Sequence, residues 1–147
     1  MLTPYWTTAT TCWVVIKMTP TTSALAASNF TIDINNGCPN FTVTDRFGMN
    51  VSAASLEKIT IGAWHHVGGV YDGSEVKIYV DGMLKNTKTF DGELWTRNSA
   101  LCIGGTGRCS APPFRGLIDE VQIFNRALTE SEIKGIYDAG GIGPGQP

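Results

Sequence analysis

The sequence predicts an antiparallel all-β sandwich or barrel with one short C-terminal helix, on three observations. Apolar residues recur at every second position over most of the 147 residues, the spacing of strands with one buried face. The runs are short and punctuated by Asn-Gly and Asp-Gly pairs, which suit tight hairpins because both central residues take positive φ. Near the end the period changes once, to a helical one that opens on a capping box. Composition agrees: 42% hydrophobic residues supply a core, while 17 Gly and 7 Pro supply turns.

The elements follow in order. Phe30, Ile32 and Ile34 share one face, with Thr31 and Asp33 on the other, and Asn36-Gly37 turns the chain. Phe41, Val43 and Phe47 repeat the pattern, with Asp45 interrupting the face. A strand from Trp64 to Tyr71 ends at Asp72-Gly73. Val76, Ile78 and Val80 then alternate with Lys77, Tyr79 and Asp81, and Asp81-Gly82 closes a hairpin whose return strand is Met83 to Phe90. Further strands are expected at Ala100 to Ile103 and Leu117 to Phe124. Thr129 and Glu132 form the capping box, Leu128 staples onto Ile133, and Ile133, Ile136 and Tyr137 make an apolar stripe that docks on a sheet. Residues 1–139 read as one domain, and Gly140-Gly141 ends the helix at a Gly/Pro-rich tail or linker, 140–147.

Charge and length exclude several functions. The formal net charge is −2 and only 16% of residues are charged, so there is no basic excess to attract nucleic acid or an anionic membrane. No apolar run reaches the eighteen or more residues of a membrane span. Ser23 to Ala27 contains a small-x-small pattern, but the stretch before it lacks a basic start and a long enough apolar run for a signal peptide. Cys12, Cys38, Cys102 and Cys109 form no C-x-x-C pair. An even count fits an oxidising compartment, with Cys102–Cys109 and Cys12–Cys38 the preferred pairing and four buried reduced thiols the alternative. Sequons at Asn29, Asn40 and Asn50 matter only in a eukaryotic secretory route.

Catalytic chemistry finds no support. His65 and His66 are adjacent on a strand and face opposite ways, so they cannot share one zinc ion. Gly104 to Arg108 lacks the Gly-Lys-Ser/Thr ending of a phosphate loop and a helix after it. A retaining glycosidase on a β-sandwich needs paired carboxylates roughly 5 Å apart. The nearest pair, Asp91 and Glu93, sits at a turn. No nucleophile elbow or Cys–His pairing is present either, so the chain reads as a non-enzyme.

One string of motifs is specific. Trp64-His65-His66-Val67, Tyr71-Asp72-Gly73, Ile78-Tyr79-Val80-Asp81-Gly82 and Ile103-Gly104 come in order, followed by Phe114 to Phe124, Arg126-Ala127-Leu128 and Glu132-Ile133. Over residues 56–139 this closely resembles the laminin-G-like, concanavalin A-like jelly-roll domains of many secreted proteins. Earlier residues match loosely, with Val14 to Lys17 and Phe30 to Ile32 roughly where middle strands would be. The resemblance implies a two-sheet antiparallel jelly-roll sandwich lacking the family's usual opening strands, unless residues 1–28 substitute for them. It also implies a lectin-like role, binding a glycan or cell-surface ligand in an extracellular or periplasmic setting, and a structural calcium ion with Asp119 as a ligand. Sugar binding needs an aromatic face plus planar polar groups. Trp95, Arg97 and Asn98 in the connection Asp91 to Ser99, and Arg108 in the loop Gly104 to Pro113, supply those types. The competing class is a structural or adhesion module, since exposed sheet edges recruit a strand from a neighbour and would give a homodimer.

Overall fold

The computed structural model describes residues 12–18, 25–26, 30–94, 101–104, 114 and 116–140. The strands are β1 (Cys12–Met18), β2 (Leu25–Ala26), β3 (Phe30–Asn35), β4 (Cys38–Thr44), β5 (Asn50–Ala54), β6 (His65–Tyr71), β7 (Glu75–Val80), β8 (Met83–Thr89), β9 (Cys102–Ile103) and β10 (Ile118–Phe124), followed by helix α1 (Glu130–Ala139). Among the described residues they form two antiparallel five-stranded sheets, ordered β10-β1-β6-β7-β8 and β5-β4-β3-β2-β9. Two stacked sheets and a terminal helix are the predicted sandwich. Residues 12–18 and 25–26 do enter it: β1 lies between β10 and β6, and β2 between β3 and β9.

The hairpins sit where turn chemistry put them. Asn36 and Gly37 have φ of 51° and 85°, and Asp81 and Gly82 have 51° and 75°, the left-handed pairs that Asn-Gly and Asp-Gly tolerate best. Alternation is clean in the β3–β4 hairpin. Phe30, Ile32 and Ile34 of β3 and Phe41 and Val43 of β4 point inward. They meet Val67, Tyr71, Val76, Ile78 and Val80 of the opposite sheet in one core. Gly69 of β6 lets the layers approach there, since a Cβ at that position would lie 2.3 Å from the Phe41 ring.

A second apolar cluster lies on the outer side of the β6–β7 sheet, where Val70 and Tyr79 meet Leu128 and Ile133 beneath α1. Ile133 is fully buried, a contribution of about 1.5–3 kcal/mol for a side chain of this size. The helix starts as expected: Glu132 N–H donates to Thr129 Oγ1 at 3.3 Å, and Thr129 N–H to Glu132 Oε2 at 2.8 Å. Arg126 adds a 2.6 Å ion pair to Glu132, which together with the Thr129 N–H holds the Glu132 carboxyl down at about 2.

Two expectations are corrected. Phe47 does not continue the buried face of Phe41 and Val43; it is 77% exposed. β4 ends at Thr44, and Asp45 takes the inward position and folds the chain back into a turn. Cys38 is a free thiol, so the Cys12–Cys38 pairing is not formed. Cys12 begins a strand of one sheet opposite Tyr71, whereas Cys38 begins a strand of the other opposite Asn35.

Candidate functional site

The two outer faces of the sandwich differ. The outer side of β6 and β7 packs against α1 through Val70 and Tyr79, and two histidines lie at the start of β6. His65 Nδ1 is 2.9 Å from Asp81 Oδ2, while its Nε2 accepts the Thr60 N–H at 3.1 Å, so the proton sits on Nδ1 and points at the carboxylate. Asp81 Oδ1 also accepts the His66 N–H at 3.0 Å. The His66 ring is buried with both nitrogens unpartnered and lies 5.8 Å from the Tyr137 ring of α1. Burial lowers its pKa, opposed by the charge of Asp81. The two rings therefore face different groups, His65 the Asp81 carboxylate and His66 the Tyr137 ring.

The other outer face presents short polar side chains. Thr31 and Asp33 of β3, Asn40, Thr42 and Thr44 of β4, and Asn50 and Ser52 of β5 all stand on it, because the alternate positions of each strand carry the core. Register aligns them in rows, Thr31–Thr42–Ser52 and Asp33–Asn40. Thr42 Oγ1 and Ser52 Oγ are 2.7 Å apart, Asn40 Nδ2 donates to Thr42 Oγ1 at 3.2 Å, and Thr44 Oγ1 donates to Asn50 Oδ1 at 2.7 Å. Burial raises the pKa of Asp33, partly offset by a hydrogen bond from Asn40. Hydroxyls and amides both donate and accept, so this face can exchange hydrogen bonds with a polyhydroxylated ligand.

At one end the face runs into the β4–β5 turn. Asp45, only 8% exposed, accepts the Phe47 and Met49 N–H groups on Oδ1, each at 2.8 Å. The Arg46 N–H donates to Glu93 O at 3.1 Å, and Asp45 bridges to Leu94. Tyr71 Oη donates to Gly92 O at 2.8 Å. The start of the Asp91 to Ser99 connection is thereby fixed against this turn. Arg46 Nη1 is 2.8 Å from Glu93 Oε2, and its guanidinium lies 4.7 Å above the centre of the Phe47 ring. Sequence reasoning passed over this turn. Its signal was an Asp in a core-parity position followed by Gly48, the signature of a carboxylate capping a turn.

The predicted ligand residues Trp95, Arg97, Asn98 and Arg108 lie outside the described residues, as do Cys109 and the side chain of Cys12. Cys102 is buried and is not a free thiol. Asp119 is exposed on β10, where its Oδ1 accepts the Glu120 N–H at 2.8 Å. Glu120 has φ of 50°, so local alternation is broken at that point. No group of three or more His, Cys, Asp or Glu able to hold a metal occurs among the described residues.

Known proteins share this architecture. A Bacteroides ovatus protein provisionally assigned to carbohydrate binding superposes with a TM-score of 0.73 at 17% identity, over 90% of this chain and 42% of its own. Domain 4 of AbnA, a GH43 extracellular arabinanase from Geobacillus stearothermophilus solved with arabinotriose, gives 0.69 at 25% identity, covering 87% of this chain and 66% of that one. The CBM40 of the Ruminococcus gnavus IT-sialidase, bound to α2,3-sialyllactose, gives 0.73 at 19%, covering 86% and 82%. The chain thus spans less than two thirds of the first two. No curated protein matches it. Residues 5–134 match the Laminin_G_3 family; the chain belongs to the concanavalin A-like lectin/glucanases superfamily.

Proposed function

We propose that this chain is a non-catalytic, lectin-like carbohydrate-binding module working outside the cytoplasm. The observation that carries the reading is the polar outer face of β3, β4 and β5, lined with Thr, Asn, Ser and Asp and bordered by the turn that anchors the Asp91 to Ser99 connection. Two proteins of the same architecture were solved with an oligosaccharide bound, which supports the ligand class. Recognition would combine hydroxyl exchange on the floor with stacking at the rim, where Trp95 supplies the ring and Arg97, Asn98 and Arg108 supply donors. Calcium bound at Asp119 would need further oxygens gathered around that carboxylate. The test is a broad glycan array with the wild-type chain and a Trp95→Ala/Arg97→Ala variant. Binding that the variant loses supports the module, and silence of the wild type refutes it.

A second reading is favoured by one feature. Among the described residues strand β8 ends its sheet and carries Met83 and Leu84 exposed, an edge suited to strand addition. A structural or adhesion module pairing there would be a homodimer. Light scattering at tens of micromolar decides, since a monodisperse monomer excludes it.

A further inference from the structure

Single exposed apolar residues are ordinary on protein surfaces, so the exposure of Phe47 says little alone. Its setting says more. The backbone beneath it is held by the two bonds to Asp45 Oδ1 and by Asp45 N–H donating to Met49 O at 2.9 Å, so the ring is displayed from a fixed turn. A carboxylate buried at a core-parity position makes those bonds, where an apolar residue would have prolonged β4 and turned Phe47 inward. One ring face is occupied by the Arg46 guanidinium, itself held by Glu93. The ring is otherwise open, and the turn adjoins Glu93 and Leu94, the residues that lead into Trp95.

We propose that Phe47 is an aromatic platform on which the apolar face of a pyranose stacks, with Arg46 and Glu93 hydrogen-bonding the hydroxyls at the ring edge; this rests on the carbohydrate-binding reading above. An aromatic face flanked by a planar guanidinium fork and a carboxylate offers a sugar the apolar surface, donors and acceptors it needs. The Arg46–Glu93 pair is neutral overall, so the subsite selects an uncharged sugar over a sialylated or uronic one.

The experiment uses an array of neutral and sialylated oligosaccharides, followed by calorimetry with the strongest-bound neutral oligosaccharide. Wild type, Phe47→Ala, Phe47→Trp and Arg46→Met are compared, each checked for an unchanged melting temperature. The expected result is binding to neutral sugars, weakened about tenfold in Phe47→Ala, the size of one lost stacking contact, and retained in Phe47→Trp. Arg46→Met weakens binding without abolishing it. Equal affinity of wild type and Phe47→Ala overturns the platform while leaving the module reading intact. Binding confined to sialylated sugars overturns the assigned ligand class, and silence of the wild type overturns both readings.

Discussion

Replacing Gly69 with alanine puts a methyl group where the Phe41 ring already is. The new Cβ would lie 2.3, 2.4 and 2.7 Å from Cδ2, Cγ and Cε2 of that ring, whereas carbon atoms settle at about 3.5–4.0 Å. The ring or the strand must therefore withdraw by about 1 Å. Phe41 is fully buried with a tilted Phe30 ring 6.5 Å away, so it has little room to move. Overpacking of this kind costs about 1–3 kcal/mol, and a rigid backbone-facing clash belongs at the upper end. For a chain near 150 residues that corresponds to a loss of roughly 6–12 °C in Tm. Gly135 is the internal contrast, because it lies inside α1 and a Cβ there meets nothing within 4 Å. Gly135→Ala should stabilise by about 0.8–1 kcal/mol from helix propensity alone. Thermal and urea unfolding of both variants give the signs directly. A Phe41→Leu/Gly69→Ala double mutant should cost less than the sum of its parts, since the smaller side chain makes room for the methyl. A Gly69→Ala protein as stable as wild type, or strictly additive costs in the double mutant, would refute the packing account.

Other outcomes are equally specific. His66 has its pKa lowered by burial, so the unfolded chain binds the extra proton first; stability is full above about pH 6.5, the ordinary His value, and falls as pH drops below it. His66→Leu should flatten that part of a melting-temperature profile, and a slope equal to wild type would show that another group carries it. Asp72 keeps its charge against the cost of burial, because Lys77, the Ser74 N–H and hydroxyl, and the Glu75 N–H all hydrogen-bond it, holding its pKa below the ordinary carboxylate range. Its stabilisation is present above about pH 4 and lost as pH falls further, which an acid titration of Asp72→Asn against wild type checks. Thr129→Ala removes the acceptor at the start of α1 and should cost about 1 kcal/mol in urea unfolding. Calcium titration should raise the melting temperature if Asp119 belongs to a native site, because a ligand bound only by the folded state stabilises it; no rise in millimolar calcium removes the ion from the account.

What could be read from the sequence follows from how local each signal is. The Asn36-Gly37 and Asp81-Gly82 turns, the alternation in β3 and β7, and the Thr129–Glu132 box are set by neighbours within a few residues, and all are present in the structure. Strand β5 was missed because Asn-Val-Ser-Ala-Ala offers little apolar contrast; its pairing with β4 is decided across the sheet. The insertion of β1 between β10 and β6 joins strands far apart in sequence, which no local pattern encodes. The β4–β5 turn was misread because alternation was extended through Asp45 on parity alone. A carboxylate able to bond two amide N–H groups outweighed the apolar tendency of Phe47.

The fit of Phe41 into the notch at Gly69 acts as a dowel between the two layers. Sliding one layer over the other would drive an aromatic ring into main chain, so the sandwich resists shear in its plane. The polar rows outside β3, β4 and β5 therefore keep a constant spacing whatever the loops do. A sugar arriving there would meet a rigid floor, and differences in ligand preference among relatives of this chain would be written into the border that surrounds it.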